Sequence, residues 1–295
     1  NKALSRQPDL ICSNRSPHRR ALRSDGSAGH HARPSTRTGS PRPFAGDTLV
    51  LVYRKSKVPE PPADWSAALE LTTPFVFPAS DPNSLFILAM YQSNGGVLRD
   101  QDGRPFLDAE IFSQVLEFLA DAEERGVMPY WLAQYQGDGE IWDAFLENRV
   151  DLAVTWLSNT LAAAPEDTAY ALLPATQGKD FTYASGWVWA MAARDRETRA
   201  LSLELAQFLT EDTFCARWIE LLGFLPVSSG MLAAWPESEA RPVLQQAALS
   251  AHLLPTTDIL TSLGIPVQQA AVSILKKQAE PQAAAQAAAG GLTGP

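Results

Sequence analysis

The 295-residue chain has little of what most enzymatic chemistry requires. Two cysteines, Cys12 and Cys215, cannot build a disulfide framework. Of four histidines, His18, His30 and His31 fall near the start, leaving His252 as the one imidazole in the rest of the sequence. Nucleophilic catalysis needs a base beside its nucleophile, and no G-x-S-x-G, H-E-x-x-H or G-x-x-x-x-G-K-[ST] pattern occurs. Glu140 and Asp143 are close in sequence, but i, i+3 carboxylates on a helix form an ordinary solvated face. No catalytic residue, no cofactor and no metal ligand is therefore assigned. A D-x-D-G turn at Asp100–Gly103 lacks the later acidic ligands of a calcium loop and reads as a tight turn. Long apolar runs are absent too, which argues against a membrane span. The N-terminus has no apolar core of a signal peptide, and Ile11 before Cys12 is too large for a lipoprotein cleavage site.

Positive charge is scarce beyond the first segment. Residues 1–46 hold nine Lys/Arg against two Asp, net +7; the remainder holds fifteen against thirty-one acidic residues, net −16. An acidic body does not suit nucleic acid, which requires a positive surface. Residues 1–46 are rich in Arg, Ser, Pro and Gly without apolar periodicity, and read as a disordered basic arm.

What is present is an alternation of short strands and amphipathic helices. DTLVLVYRKS carries a strand at 48–53, and Trp65 opens a short helix after PEPPAD. A brief strand is expected at Phe75–Phe77. Asp81 or Asn83 caps a helix that Gly95 and Gly96 end. Asp108 caps the next, with Phe112, Val115, Leu116 and Leu119 at helical spacing. A helix at Ile141–Leu146 follows, then strands at 150–156, 170–175 and 184–193. Asp195 and Thr210 are read as caps of two further helices, the first with Leu201, Leu205, Phe208 and Leu209 on one face. The second turns Phe214, Cys215, Trp218, Ile219 and Leu222 inward. An Ala/Gln/Gly tail closes the sequence.

Eight tryptophans are many for this length. In ASGWVWAMAARD, Trp187 and Trp189 share one face of a strand, because side chains alternate. Indoles serve equally as core and as platforms for flat ligands. Trp187, near the strand's start, is the better platform; Trp189, deeper in, is expected in the core.

The order of segments then resembles a known family. DTLVLVYRKSKVPEPPADWSAAL, YQSNGGVLRDQDGRPFLD, FLENRVDLAVTW, LLPATQGKDFTYASGWVWAMAA and LAQFLTEDTFCARWIELLGFLPVSSG follow the sequence of features found in solute-binding proteins of bacterial ABC importers, in the maltose-binding-protein-like, carbohydrate-binding group. The resemblance runs from about residue 47 to 285. It implies an α/β, two-lobed periplasmic-binding-protein-like fold that closes on a ligand. Relative to that group the N-terminal lobe is expected to be incomplete, since the basic arm stands where its first strands would be. The implied division is 1–46 arm, 47–172 C-terminal-type lobe, 173–226 remnant of the N-terminal lobe, 227–280 C-terminal helices and 281–295 low-complexity tail.

Carried over by position, the resemblance implies ligand contacts at Trp156, Gly186, Trp187, Asp81, Asn83 and Tyr53. It implies a sugar or oligosaccharide ligand held by stacking and hydrogen bonds, permease subunits of an ABC transporter as partners, a monomer, no nucleic acid, and an extracytoplasmic location. The alternatives are a sensory module for a small polar ligand, an enzyme using Glu140 or Asp143, and a truncated fragment that binds nothing.

Overall fold

The computed structural model describes residues 41–161, 164–238 and 240–293. The basic arm up to residue 40, with Cys12 and its three histidines, lies outside the described residues. The first elements are β1 (Arg42–Arg54), α1 (Trp65–Ala68), α2 (Leu85–Ser93), α3 (Ala109–Glu124), α4 (Asp138–Leu146), β2 (Leu152–Trp156) and α5 (Leu157–Leu161). Then come β3 (Thr168–Ala171), β4 (Thr182–Trp189), α6 (Arg196–Leu209), α7 (Asp212–Leu221) and α8 (Ser229–Ala234). The last are α9 (Arg241–Ser250), β5 (Ala251–Leu253), α10 (Thr257–Leu275) and α11 (Pro281–Gly290).

The described chain forms two compact units. One contains residues 41–46 and 186–235; the other contains 47–185 and 236 onward. These boundaries differ from the five-part division expected from the sequence, because β1 and β4 each run through both units.

In the larger unit, β1 is the central strand. Leu49, Val50, Leu51 and Val52 are all buried, a continuous apolar run rather than an alternating one. That is the mark of a strand covered on both faces. It pairs antiparallel with β2 through Leu49↔Trp156 to Tyr53↔Leu152, and with β3 through Leu51↔Ala171 to Arg54↔Thr168. The sheet order is β2-β1-β4-β5, with β5 parallel to β4. The expected strand at Phe75–Phe77 is a single parallel bridge, Val76↔Ala153, although all three residues are buried. Proline on both sides, at Pro74 and Pro78, limits ladder pairing there.

Helix starts follow the expected chemistry. Asp64, Asp108 and Asp195 each accept a hydrogen bond from a first-turn amide. For α7 the cap is Glu211, not Thr210: its carboxylate accepts from the Phe214 amide. Thr210 instead donates back to the Ala206 carbonyl.

Two corrections concern apolar segments, and one long apolar helix is buried. The tail 281–290 is helical, because Ala-rich sequence has high helix propensity and Ala284, Ala285 and Ala288 bury against α3 and α10. The segment 42–46 extends β1, where Ala45 is buried and Gly46 bridges Leu225. One helix, α10, is long and apolar enough to cross a membrane. Its Ile259, Leu263, Val267, Ala271, Ile274 and Leu275 are buried, and it packs on α2, α3 and α11.

In the smaller unit, α6 buries no side chain, and Leu201, Leu205 and Phe208 are 61%, 58% and 59% exposed. Of the α7 residues expected inward, Cys215 and Ile219 are buried, while Phe214 and Leu222 are exposed. The Cys215 thiol bonds the Phe44 carbonyl, and burial raises its pKa to about 11, which makes it inert.

Candidate functional site

The site is built around the end of β2. Leu152, Ala153 and Val154 are buried, so the strand is anchored by burial. The chain then delivers Thr155, Trp156 and the first turn of α5 without an intervening loop. Trp156 is half-buried and lies across from Leu49. This places it beside the first residues of β1 in the larger unit.

Polar groups converge on that corner. Asp47, buried and two residues before Leu49, accepts bonds at both carboxylate oxygens. The Thr48 amide (2.9 Å) and the Ser158 amide (3.0 Å) donate to Oδ1, and the Ser158 hydroxyl (2.5 Å) donates to Oδ2. The Asn159 amide group donates to Asp138 Oδ2 (2.7 Å) and to Thr155 Oγ1 (3.0 Å). Asp138 begins α4, which packs on β2 and α5.

The carboxylates feel one another. Burial raises the Asp47 pKa to about 6, against the bonds from Ser158 and Thr48 that lower it, with the Asp138 charge adding to the rise. Burial also raises Asp81, and Asp138 again contributes. Asp138 is therefore the charge shared by the Asp47 corner and the Asp81 loop.

Asp81 and Asn83 lie together. The Asp81 carboxylate accepts from the Asn83 amide (2.9 Å) and the Leu85 amide (3.1 Å), so it closes the loop; the N-cap of α2 is Ser84 and not Asp81 or Asn83, because the tight turn puts Ser84 at the helix start. Asn83 is exposed. The loop rests on α10, where Gly264 meets Pro82: a Cβ there would lie 2.2 Å from the Pro82 carbonyl oxygen. Ser84, at φ 49°, donates to the Gly264 carbonyl at 3.0 Å.

Tyr53 is not brought to Trp156. It pairs with Leu152, four residues back along β2, about 13 Å at strand rise. Gly186 and Trp187 belong to the smaller unit. There Trp187 is 42% exposed and packs on Phe224, with centroids 4.2 Å apart. Trp189 departs from the core role expected of it. It is 36% exposed, its ring stacked on Phe44 at 4.7 Å and parallel to Trp218 at 6.2 Å.

Other candidate chemistry is absorbed by structure. Glu140 accepts from the Gln136 amide at 2.6 Å, and Asp143 is exposed. Asp100 accepts from the amides of Asp102 and Arg104 and pairs with the Arg104 guanidinium, closing the turn read as calcium-loop-like. Among the described residues no group of three or more His, Cys, Asp or Glu side chains is placed to hold a metal ion.

Residues 41–245 match the family pattern of the bacterial extracellular solute-binding proteins. The chain belongs to this family. The solute-binding protein is 27% identical over 254 residues to the maltotriose-binding protein of Pyrococcus abyssi (strain GE5 / Orsay). That alignment takes in 79% of the chain and 54% of the relative, so the chain spans about half the relative's length. Its fold is similar to maltose-bound MalE3 of T. maritima, at TM-score 0.68, 17% identity, and coverage of 85% of this chain and 71% of that one. It is also similar to the cyclic alpha-maltosyl-1,6-maltose binding protein of Arthrobacter globiformis, at TM-score 0.66, 20% identity, and coverage of 85% and 70%. The fold is thus the mixed α/β fold of the two-lobed periplasmic binding proteins, matched over about 70% of their chains.

The sequence pointed to Trp156 and Asp81 as candidates but not to the neighbouring Asp47, Asp138, Ser158 and Asn159. A signal existed for three of them: Asp47 opens the apolar run of β1, and Ser158-Asn159 follow the strand-ending Trp156-Leu157 step. Asp138 had none, since its partner Asn159 is 21 residues away.

Proposed function

We propose that this solute-binding protein captures a sugar or oligosaccharide and delivers it, chemically unchanged, to the permease subunits of an ABC transporter. It acts as an extracytoplasmic monomer. The observation that carries this reading is the half-buried Trp156 at the end of β2, followed directly by α5, whose Ser158 and Asn159 bond Asp47 and Asp138. An indole face supplies apolar area to a sugar ring at low entropic cost, and surrounding acceptors orient its hydroxyls. The family match over residues 41–245 supports the same reading. Asp81 and Asn83 are proposed as polar contacts. Gly186 and Trp187 are proposed as further contacts, each testable by its own substitution, and Tyr53 as a strand-end residue.

The test is calorimetric titration and thermal shift with a carbohydrate panel that includes maltotriose. Ligand at a hundredfold excess over Kd raises stability by about 2.7 kcal/mol, a shift of several degrees. The expected result is a saturable shift with at least one carbohydrate and its recovery unaltered. Indifference to the whole panel overturns the proposal, and turnover of a bound sugar overturns the transport reading in favour of an enzyme.

A further inference from the structure

We infer that Asp47 is the positioning residue of Trp156: its carboxylate clamps Ser158, two residues beyond the indole, to the crossing strand β1, so that the indole's setting follows the proton on Asp47. The inference rests on the proposed role of Trp156 and adds a device that controls it.

The geometry is specific about which bond matters. Oδ1 of Asp47 takes two backbone amides, those of Thr48 and Ser158. Oδ2 takes the Ser158 hydroxyl alone, at 2.5 Å. A proton on Oδ2 turns that oxygen from acceptor to donor, so the bond to the Ser158 hydroxyl reverses and loses its charge assistance, while both amide bonds stay on a now uncharged carboxyl. The first turn of α5 is then held by two neutral bonds in place of two charge-assisted ones, roughly half as strong. No loop separates it from Trp156, so loosening there reaches the indole through Leu157, which is itself fully buried.

The surroundings make Asp47 the group that titrates. Asp138, from α4, faces it as a like charge. From α5 and β1 come only the uncharged donors Ser158 and Thr48. The Thr48 hydroxyl bonds the carbonyl of Tyr183 on β4, while the Tyr183 phenol is turned to Gln92. Burial and Asp138 together set the titration near pH 6.

The experiment uses the full chain labelled with 5-fluorotryptophan, with the Trp156 resonance assigned by its loss in Trp156→Phe. Between pH 5 and 7.5 that resonance is expected to move along one titration curve with a midpoint near 6. Asp47→Asn keeps Oδ1 and replaces Oδ2 by a donor, so it should fix the resonance at its acid position at every pH. Ser158→Ala, which leaves the carboxylate titrating, should cut the excursion by at least half. Maltotriose affinity is expected to fall severalfold on going from pH 7.5 to 5, and to be pH-independent in Asp47→Asn. A stationary Trp156 resonance in the wild type, or an undiminished excursion in Ser158→Ala, overturns the clamp. The resonance is read without ligand, so a protein that binds no carbohydrate defeats the proposed function while the clamp is still decided.

Discussion

At the residue scale, Trp156 and Asp47 divide the work of the corner at the end of β2. Trp156→Ala removes the proposed apolar platform without touching the buried Leu152–Val154 anchor, so binding should be lost while the fold persists. Titration of the variant with whichever sugar binds the wild type checks this; an affinity within twofold of the wild type would count against the role. Asp47 predicts a pH dependence of stability. Its carboxyl is harder to ionise in the folded chain, at about 6 against an ordinary 3.8. The folded state thus holds the proton more tightly, and stability from this group is present at low pH and lost as pH rises through 6. At about 1.36 kcal/mol per pH unit, the loss approaches 3 kcal/mol. Asp47→Asn should remove it: the variant's stability relative to wild type should improve by up to about 3 kcal/mol between pH 4 and 7, read by denaturant unfolding. A buried carboxylate that costs stability at neutral pH, yet is held by three donors, fits a group kept for binding rather than for the fold. Much of this was out of reach of the sequence. Asp108 could be read as a cap because its partners, the Glu110 and Ile111 amides, are two and three residues away. Asp47 and Ser158 are 111 residues apart, and no local pattern links them.

At the element scale, the Asp81–Asn83 loop owes its place to α10. Gly264 lies inside a helix, where glycine is unfavourable, but the Pro82 carbonyl leaves no room for a side chain. Gly264→Ala gains helix propensity and forces a backbone carbonyl to move. Overpacking of this kind costs about 1–3 kcal/mol. We expect net destabilisation by chemical unfolding and a weaker sugar affinity as the loop shifts, with Gly290→Ala, which meets nothing within 4 Å, as the unperturbed control. The elements themselves were largely legible: β1, β2, α3, α4 and α6 stand close to where periodicity put them. The misses share a cause. The 281–290 tail looked patternless because alanine is both apolar and small, and its burial against α3 and α10 comes from packing that composition does not reveal. The 75–77 segment had strand-like residues and buried all of them, but flanking prolines left it one bridge.

At the scale of the whole molecule, the two units differ in how well they are covered. The larger one buries a continuous central strand and packs α3, α10 and α11 together. The smaller one exposes Leu201, Leu205 and Phe208 along α6, and Trp187 and Trp189 on β4. Few buried contacts mean low local opening free energy. Amide exchange should therefore be fastest through 196–209 and slowest at 49–52 and 111–122; uniform protection across both would contradict this. Exposed apolar stretches of this size also bind hydrophobic dyes. Leu205→Lys should lower such fluorescence in the native protein without lowering the unfolding midpoint, since Leu205 buries nothing. The break in charge at residue 46 and the family resemblance were visible in the sequence. That β1 and β4 run unbroken from one unit into the other was not.

The interleaving of those units has a consequence for synthesis. The larger unit closes only when α10 and α11, its last helices, cover α3, and by then the other unit has already been made in between. The most apolar strand, β1, is made well before β4 and must wait for some 130 residues until β4 arrives to flank it. During that delay an edge of Leu49–Val52 stays open to any neighbouring chain, so yield on expression should fall with crowding of nascent protein and recover when a chaperone shields the strand.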